Sequence, residues 1–386
     1  MARPGDGQRP VPGCLVGKAP PTRRVLGTGY DWRKVEATLN ELPQFITEID
    51  GLDIQFAHIR SPYEDALPLL MTHGWPGSII ELLKVIEPLT NPTAHGGRAE
   101  DAFHLVLPTM PGYGFSGNPT STGWSPARMA SAFHELMLRL GYPQYVSQGG
   151  DWGAIISELL AVQAPEGLLG IHVNMPGTVP PDDLRHLRNF DPAPAEPSDR
   201  ERIAYDRLLH FYRDGFGYAA MMNQNPQTIG YALADSPVGM AAYYYDKFAE
   251  WTDTGGEPEK IFTYDEMLDD AVRYYIDLFS DPDALRGSFG LYRAWDATLA
   301  QNKERTNQPL TMPVLAIGGA KSWGDLVGNV AANDVQTVVI PGAGHWVAET
   351  APKEMLAALT AFLAPYRDGL AAVHDPGPRA ATAPAD

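Results

Sequence analysis

Cysteine is almost absent from this chain. Cys14 is the single one, and it lies in a polar stretch rich in proline and glycine. One thiol excludes an intrachain disulfide and any cysteine-built metal site. Long apolar runs are missing too. No stretch approaches the ~18 consecutive apolar residues of a membrane-spanning helix. Met1 to Gly13 has no apolar core of a secretory signal, so the cytoplasm is the expected compartment. Positive charge is scarce: 29 Lys and Arg against 47 Asp and Glu give a net charge of −18. Phosphate-backbone binding needs a basic face to displace counterions, so nucleic acid is not an expected partner. An anionic membrane surface is disfavoured on the same ground. The ten histidines are scattered, with no HExxH pair, and neither a metal nor another cofactor is expected.

What the chain does have is apolar bulk. At 386 residues and 44% hydrophobic, it can bury one large core or a core carrying an inserted domain. Residues 1–30 have no periodicity and read as a flexible leader. Asp31 to Asn40 is a plausible helix with Asp31 as its N-cap, and Leu52 to Arg60 alternates like a strand. Short apolar runs follow at Leu67–Thr72, Phe103–Pro108, Gln144–Gln148, Leu168–Asn174, Pro313–Gly318 and Val335–Ile340. Helical segments such as Pro126–Leu140 and Asp151–Gln163 lie between several of them. Apolar strands alternating with helices predict a mostly parallel sheet covered by helices on both faces.

The alternation stops between about residues 178 and 302. That stretch is helical in pattern and holds 11 of the 17 tyrosines. Inserted between the sixth and seventh strands, it would lie over the C-terminal strand ends, where such sheets bind ligands. The expected organisation is therefore a core at residues 31–177 and 303–367, a helical cap at 178–302 and a disordered tail at 368–386.

Three motifs carry chemistry. Gly149-Gly150-Asp151-Trp152-Gly153 joins the run Tyr145-Val146-Ser147 to a helical segment. Small residues two before and two after a central side chain describe a nucleophile elbow, here with Asp151 in the nucleophile's place. An Asp N-cap after a glycine-rich turn would look alike. The second motif, His73-Gly74-Trp75-Pro76-Gly77-Ser78, follows an early strand and favours the elbow. Such a loop supplies one backbone N–H of an oxyanion hole and the residue after the nucleophile supplies the other, here Trp75 and Trp152. The third, Gly342-Ala343-Gly344-His345-Trp346, follows the last strand, where the base of a nucleophile–acid–histidine order belongs.

Together these pieces resemble the microsomal-type branch of the α/β-hydrolase-fold epoxide hydrolases, in a form without a membrane anchor. The similarity runs from about Asp31 to Pro365. It is carried by DWRKVEATLNELPQF, IDGLDIQFAHIRSP, LPLLMTHGWPGSIIE, LPTMPGYGFSG, SQGGDWGAIIS and QTIGYALADSPVGMAAYYYDKFAEWTDTGGEPE. The resemblance implies a two-step reaction: Asp151 attacks an epoxide carbon to form an ester, and His345 then activates the water that hydrolyses it. It also implies two tyrosines of the cap as donors to the leaving oxygen. Tyr218, eight residues before Pro226, is one; Tyr292 is the other. The partners implied are a small hydrophobic epoxide and water, and a homodimer is compatible with the sequence.

One family feature is missing. The acid that supports the histidine is typically a Glu just after the strand at Val314–Gly318, where this chain has Ala320. Asp325 is the nearest carboxylate along the chain. Asn174, after the sixth strand, could orient His345 without charge. Gln55 replaces a common histidine, and GAGHWVAE resembles haloacid dehalogenases more than the microsomal type. Two other readings follow: a dehalogenase with the same Asp nucleophile, and a relative that binds epoxides or diols with little turnover.

Overall fold

The computed structural model describes residues 29–163, 165–175, 181–193, 199–269, 287, 289–295, 297–298, 300–301, 308–320, 322–328 and 330–374. Most of the expected leader, residues 1–28, and the end of the expected tail, from residue 375, lie outside the described residues. Helix α1 (Arg33–Glu41) buries Val35 and Leu39, four residues apart on one face. Its cap position is Trp32 rather than Asp31. The Asp31 carboxylate still takes up a helix-start amide, accepting the Arg33 N–H at 3.1 Å.

Eight strands form one sheet: β1 (Gln44–Ile49), β2 (Leu52–Ile59), β3 (Leu67–Thr72), β4 (Phe103–Pro108), β5 (Tyr145–Gly149), β6 (Leu168–Val173), β7 (Val314–Gly319) and β8 (Val335–Ile340), in the spatial order β1-β2-β4-β3-β5-β6-β7-β8. Strand β2 runs antiparallel to both neighbours, and every other pairing is parallel. Strands β3, β4, β5 and β7 are buried along their whole length, as a sheet covered on both faces requires. The expected apolar runs match these strands to within one residue at each end. Strand β1 was not expected. It lies at the sheet edge with Phe45 and Ile46 49% and 63% exposed, so it lacks the apolar face that alternation would reveal.

Among the covering helices, α2 (Leu83–Thr90) lies between β3 and β4, α3 (Pro126–Arg139) precedes β5, and α4 (Trp152–Gln163) follows it. Ser125 caps α3 by accepting the Arg128 N–H, with Pro126 in the first turn, where its missing N–H costs nothing. Helix α4 packs on α3 and is buried from Trp152 to Ala161.

Between β6 and β7 the described residues contain helices and no strand. They are α5 (Pro181–Asn189), α6 (Asp199–His210), a π-helical turn (Phe211–Gly215), α7 (Gly217–Gln224), α8 (Pro226–Asp235), α9 (Pro237–Trp251), α10 (Tyr264–Leu268) and α11 (Gly290–Arg293). After β7 come a 3-10 turn (Gly324–Gly328), β8, α12 (Val347–Thr350) and α13 (Pro352–His374). Helix α13 packs against α2. It continues beyond Asp368, where the tail was expected to begin. Among the described residues, no helix is long and apolar enough to cross a membrane.

Candidate active site

Strand β5 ends at Gly149 and α4 begins at Trp152, so Asp151 must turn the chain within two residues. It does so with φ +52°, a left-handed conformation rare for a residue with a side chain and a hallmark of strained functional turns. The turn closes because Gly153 has no Cβ; one there would run into the Thr72 carbonyl at the end of β3. The loop after β3 comes as near: a Cβ on Gly74 would overlap that of Asp151. This approach brings the next residue's amide onto the carboxylate. The Trp75 N–H donates to Asp151 Oδ1 at 2.8 Å. Trp152, as the first residue of α4, carries one of the helix-start amides that no backbone carbonyl within the helix can take.

His73 fastens that loop from beneath. Its Nε2 accepts the Met110 N–H at 3.2 Å, which leaves Nδ1 to donate to the Gly74 carbonyl at 3.0 Å. Burial lowers its pKa to about 4, so the ring is neutral near pH 7.

The His345 ring faces the carboxylate from the other side, Nε2 lying 3.4 Å from Asp151 Oδ2. Two bonds hold its loop. The His345 N–H donates to the Trp251 carbonyl at the end of α9, at 2.8 Å. The His345 carbonyl accepts from Asn174 Nδ2 at 3.3 Å, while Asn174 Oδ1 accepts the Asp151 N–H at 3.2 Å. Asn174 therefore reaches His345 through the main chain, not through the ring it was expected to orient.

The third member is different. Ala320 is half-buried in the turn after β7, and its carbonyl accepts from the Arg207 guanidinium on α6. Asp325 belongs to the 3-10 turn Gly324–Gly328, but its side chain lies outside what the structure describes. Among the described residues no side chain bonds Nδ1 of His345.

Above the carboxylate stands a wall of rings. Trp75 stacks on Tyr218 (centroids 5.6 Å apart, planes at 9°) and meets Tyr292 edge-on at 5.5 Å. Trp152 meets Tyr292 at 5.1 Å and Trp295 at 5.5 Å. Burial and then the negative charge of Asp151 push the Tyr218 phenol well above its ordinary range, with the Tyr292 hydroxyl pulling the other way. Burial, the Tyr218 phenol and Asp151 do the same to Tyr292. Both phenols thus lie within reach of the Asp151 charge and stay protonated at neutral pH. A small cleft opens beside the carboxylate, lined by Glu81, Gln148, Gly150, Asn174, His345 and Trp346 among others.

A family model described as the alpha/beta hydrolase fold matches residues 68–352. This chain belongs to the α/β-hydrolase fold family. A second model, the epoxide hydrolase N terminus, matches residues 12–82. A protein of Stigmatella aurantiaca named "Putative epoxide hydrolase" is 52% identical over 64% of this chain and 54% of its own length. Juvenile hormone epoxide hydrolase 1 of Ctenocephalides felis is 36% identical over 72% of this chain and 61% of its own. Epoxide hydrolase 1 of Sus scrofa is 37% identical over 64% and 58%. The matches thus span little more than half the length of these relatives. In three dimensions, juvenile hormone epoxide hydrolase from Bombyx mori superposes with TM-score 0.78 at 26% identity, covering 95% of this chain and 90% of that one. Aspergillus niger epoxide hydrolase gives 0.75 at 27%, with the same coverage.

In this α/β-hydrolase the fold brings Asp151, His345, the Trp75 amide and the two phenols together. Sequence reasoning missed the parts that frame them: Asn174 as a main-chain brace, Trp251 as the anchor of the histidine loop, and Lys247 beside Tyr218. The one signal for them was the density of aromatic residues in the segment between β6 and β7.

Proposed function

We propose that this α/β-hydrolase opens an epoxide to a vicinal diol through an ester on Asp151. The observation that carries the reading is the Asp151 carboxylate, gripped by the Trp75 amide and placed under two phenols that are held protonated. In the first step Asp151 attacks an epoxide carbon, the C–O bond of the ring breaks, and the leaving oxygen takes a proton from Tyr218 or Tyr292. In the second, His345 removes a proton from a water in the polar cleft. The hydroxide adds to the ester carbonyl of Asp151, whose oxyanion meets the Trp75 and Trp152 amides. Collapse breaks the ester C–O bond; the protons on His345 and on the new carboxyl group pass to the leaving alkoxide and to the tyrosine phenolate, which releases the diol, restores the phenol and returns the carboxylate carrying one oxygen from water. A serine nucleophile would yield an ether that the second step could not cleave.

The ring wall suits a hydrophobic epoxide. The dehalogenase reading would hold a halide on Trp N–H groups and has no use for phenol donors, so the paired tyrosines favour the epoxide. The charge of −18 supports a neutral substrate and argues against nucleic acid. For the missing acid, Asp325 remains our candidate partner of His345. The reading is tested with His345→Gln and a panel of terminal and disubstituted epoxides. Intact mass should rise by the mass of one epoxide, with the adduct on Asp151. Wild-type turnover without any label entering Asp151 from ¹⁸O-water would rule out the ester route.

A further inference from the structure

We propose that Lys247 tunes the proton donor Tyr218 through the face of its ring, as a positioning residue rather than one that touches substrate. The inference rests on the epoxide hydrolase reading above. Lys247 on α9 is only 4% exposed, and a buried ammonium is costly unless paired. Its Nζ meets Glu250 Oε2 at 2.7 Å and lies 3.8 Å from Asp246 Oδ2. Those carboxylates are 32% and 40% exposed, so a lysine could have met them at the surface by extending toward water. Instead Nζ is held inside, 4.6 Å from the Tyr218 ring centre, 5.3 Å from Trp251 and 5.9 Å from Tyr243. The ring that stacks on Trp75 thus also carries a cation on its π-face.

A second contact ties the ion pair to Tyr218. Gly215 closes the π-helical turn three residues earlier, and a Cβ there would overlap Glu250 Oε1. The carboxylate that holds Lys247 therefore rests on the backbone that delivers Tyr218. Inserted π-turns of this kind recur at functional sites.

The chemistry gives the pair a task. When Tyr218 gives its proton to the opened epoxide oxygen, the O–H bond breaks and negative charge develops on the phenolate. A cation over the ring attracts a phenolate more strongly than a phenol. Asp151 from the elbow, Tyr292 from α11, and Tyr243 and Glu250 from α9 all face Tyr218; the carboxylates oppose its ionisation. The Trp251 ring lies against both Tyr218 and His345. Lys247, whose ammonium sits over the ring 4.6 Å from its centre, is the group placed to counter the two carboxylates.

The test places 3,5-difluorotyrosine, whose phenol ionises at lower pH, at position 218 and titrates it by ¹⁹F NMR without substrate. Lys247→Met should raise its pKa by about one unit, Glu250→Gln should lower it, and Lys247→Arg should leave it near the wild-type value. In the native-tyrosine enzyme, Lys247→Met should slow single-turnover ester formation about tenfold with KM little changed, and Lys247→Arg should restore it. A pKa that does not move, or that moves the same way in Lys247→Met and Glu250→Gln, overturns the proposal. Should Lys247→Met fail to fold, Lys247→Gln should raise the pKa in its place, against no change in Lys247→Arg and a fall in Glu250→Gln; no rise in Lys247→Gln overturns the proposal. Because the titration needs no substrate, a chain that opens no epoxide would sink the functional reading while leaving this result to stand or fall alone.

Discussion

His172 should make this protein acid-sensitive by an amount that can be worked out. It lies on β6, in register with Gln148 of β5 and Leu315 of β7, and is 1% exposed. Neither ring nitrogen has a partner among the described residues, and burial pushes its pKa down to about 3. In the unfolded chain it returns to about 6.5. Its stabilising contribution is therefore complete above pH 6.5 and is lost as pH falls toward 3, because the unfolded chain takes up a proton that the folded one refuses. Between pH 7.5 and pH 5 the loss is about 2 kcal/mol. His73, lowered to about 4, adds about 2 kcal/mol over the same interval. His172→Leu removes the first share. It also removes two desolvated nitrogens, each costing about 1–3 kcal/mol when unsatisfied, so the variant should be at least as stable at pH 7.5. Urea unfolding followed by tryptophan fluorescence at the two pH values reads both quantities. Wild type should lose about 2 kcal/mol more than the variant. Equal losses would show that His172 does not carry the linkage. A variant several kcal/mol weaker at pH 7.5 would mean that the neutral imidazole has a partner after all.

Two further outcomes are expected. Tyr218→Phe should slow single-turnover ester formation by ~2–4 kcal/mol of barrier, roughly thirtyfold or more, the worth of one donor to a developing oxyanion; an unchanged first step would reduce Tyr218 to packing. Ala320→Glu should hasten decay of the ester, and more so with Arg207→Gln, because the Arg207 guanidinium at the Ala320 carbonyl competes for the new carboxylate. Ester decay untouched in both variants would mean that position 320 does not reach His345.

The sheet was readable because its signals are local. A strand buried on both faces must be a short apolar run, and β3, β4 and β8 have the bounds such runs suggest. The elbow was readable for the same reason: a turn that brings Gly153 against β3 admits no side chain there. Strand β1 escaped because an exposed edge needs no apolar face. Lys247 escaped because a lysine in YYYDKFAEW reads as a solvated helix face, and only packing between elements shows it inside. Tyr218 and Tyr292 came from resemblance alone; nothing in their spacing announces that both phenols would feel the charge of Asp151. Asn174 was noticed for its side chain, but the bond it makes to His345 uses a carbonyl that sequence does not display.

Trp75 has a consequence for anyone who wishes to redesign this catalyst. Its amide grips the nucleophile, and its indole is the surface on which Tyr218 lies. In the proposed cycle, backbone and side chain of this single residue would serve opposite halves, stabilisation of the ester oxyanion by one and leaving-group protonation through the other. Replacing the indole would leave the amide in place but take away the surface under Tyr218 and beside Tyr292, so position 75 is a poor handle for selectivity. Trp295, which touches this wall through Trp152 and Phe216 and makes no direct ring contact with Tyr218 or Trp75 among the described residues, is where saturation libraries should reshape the ring wall with Trp75 and Tyr218 left in place.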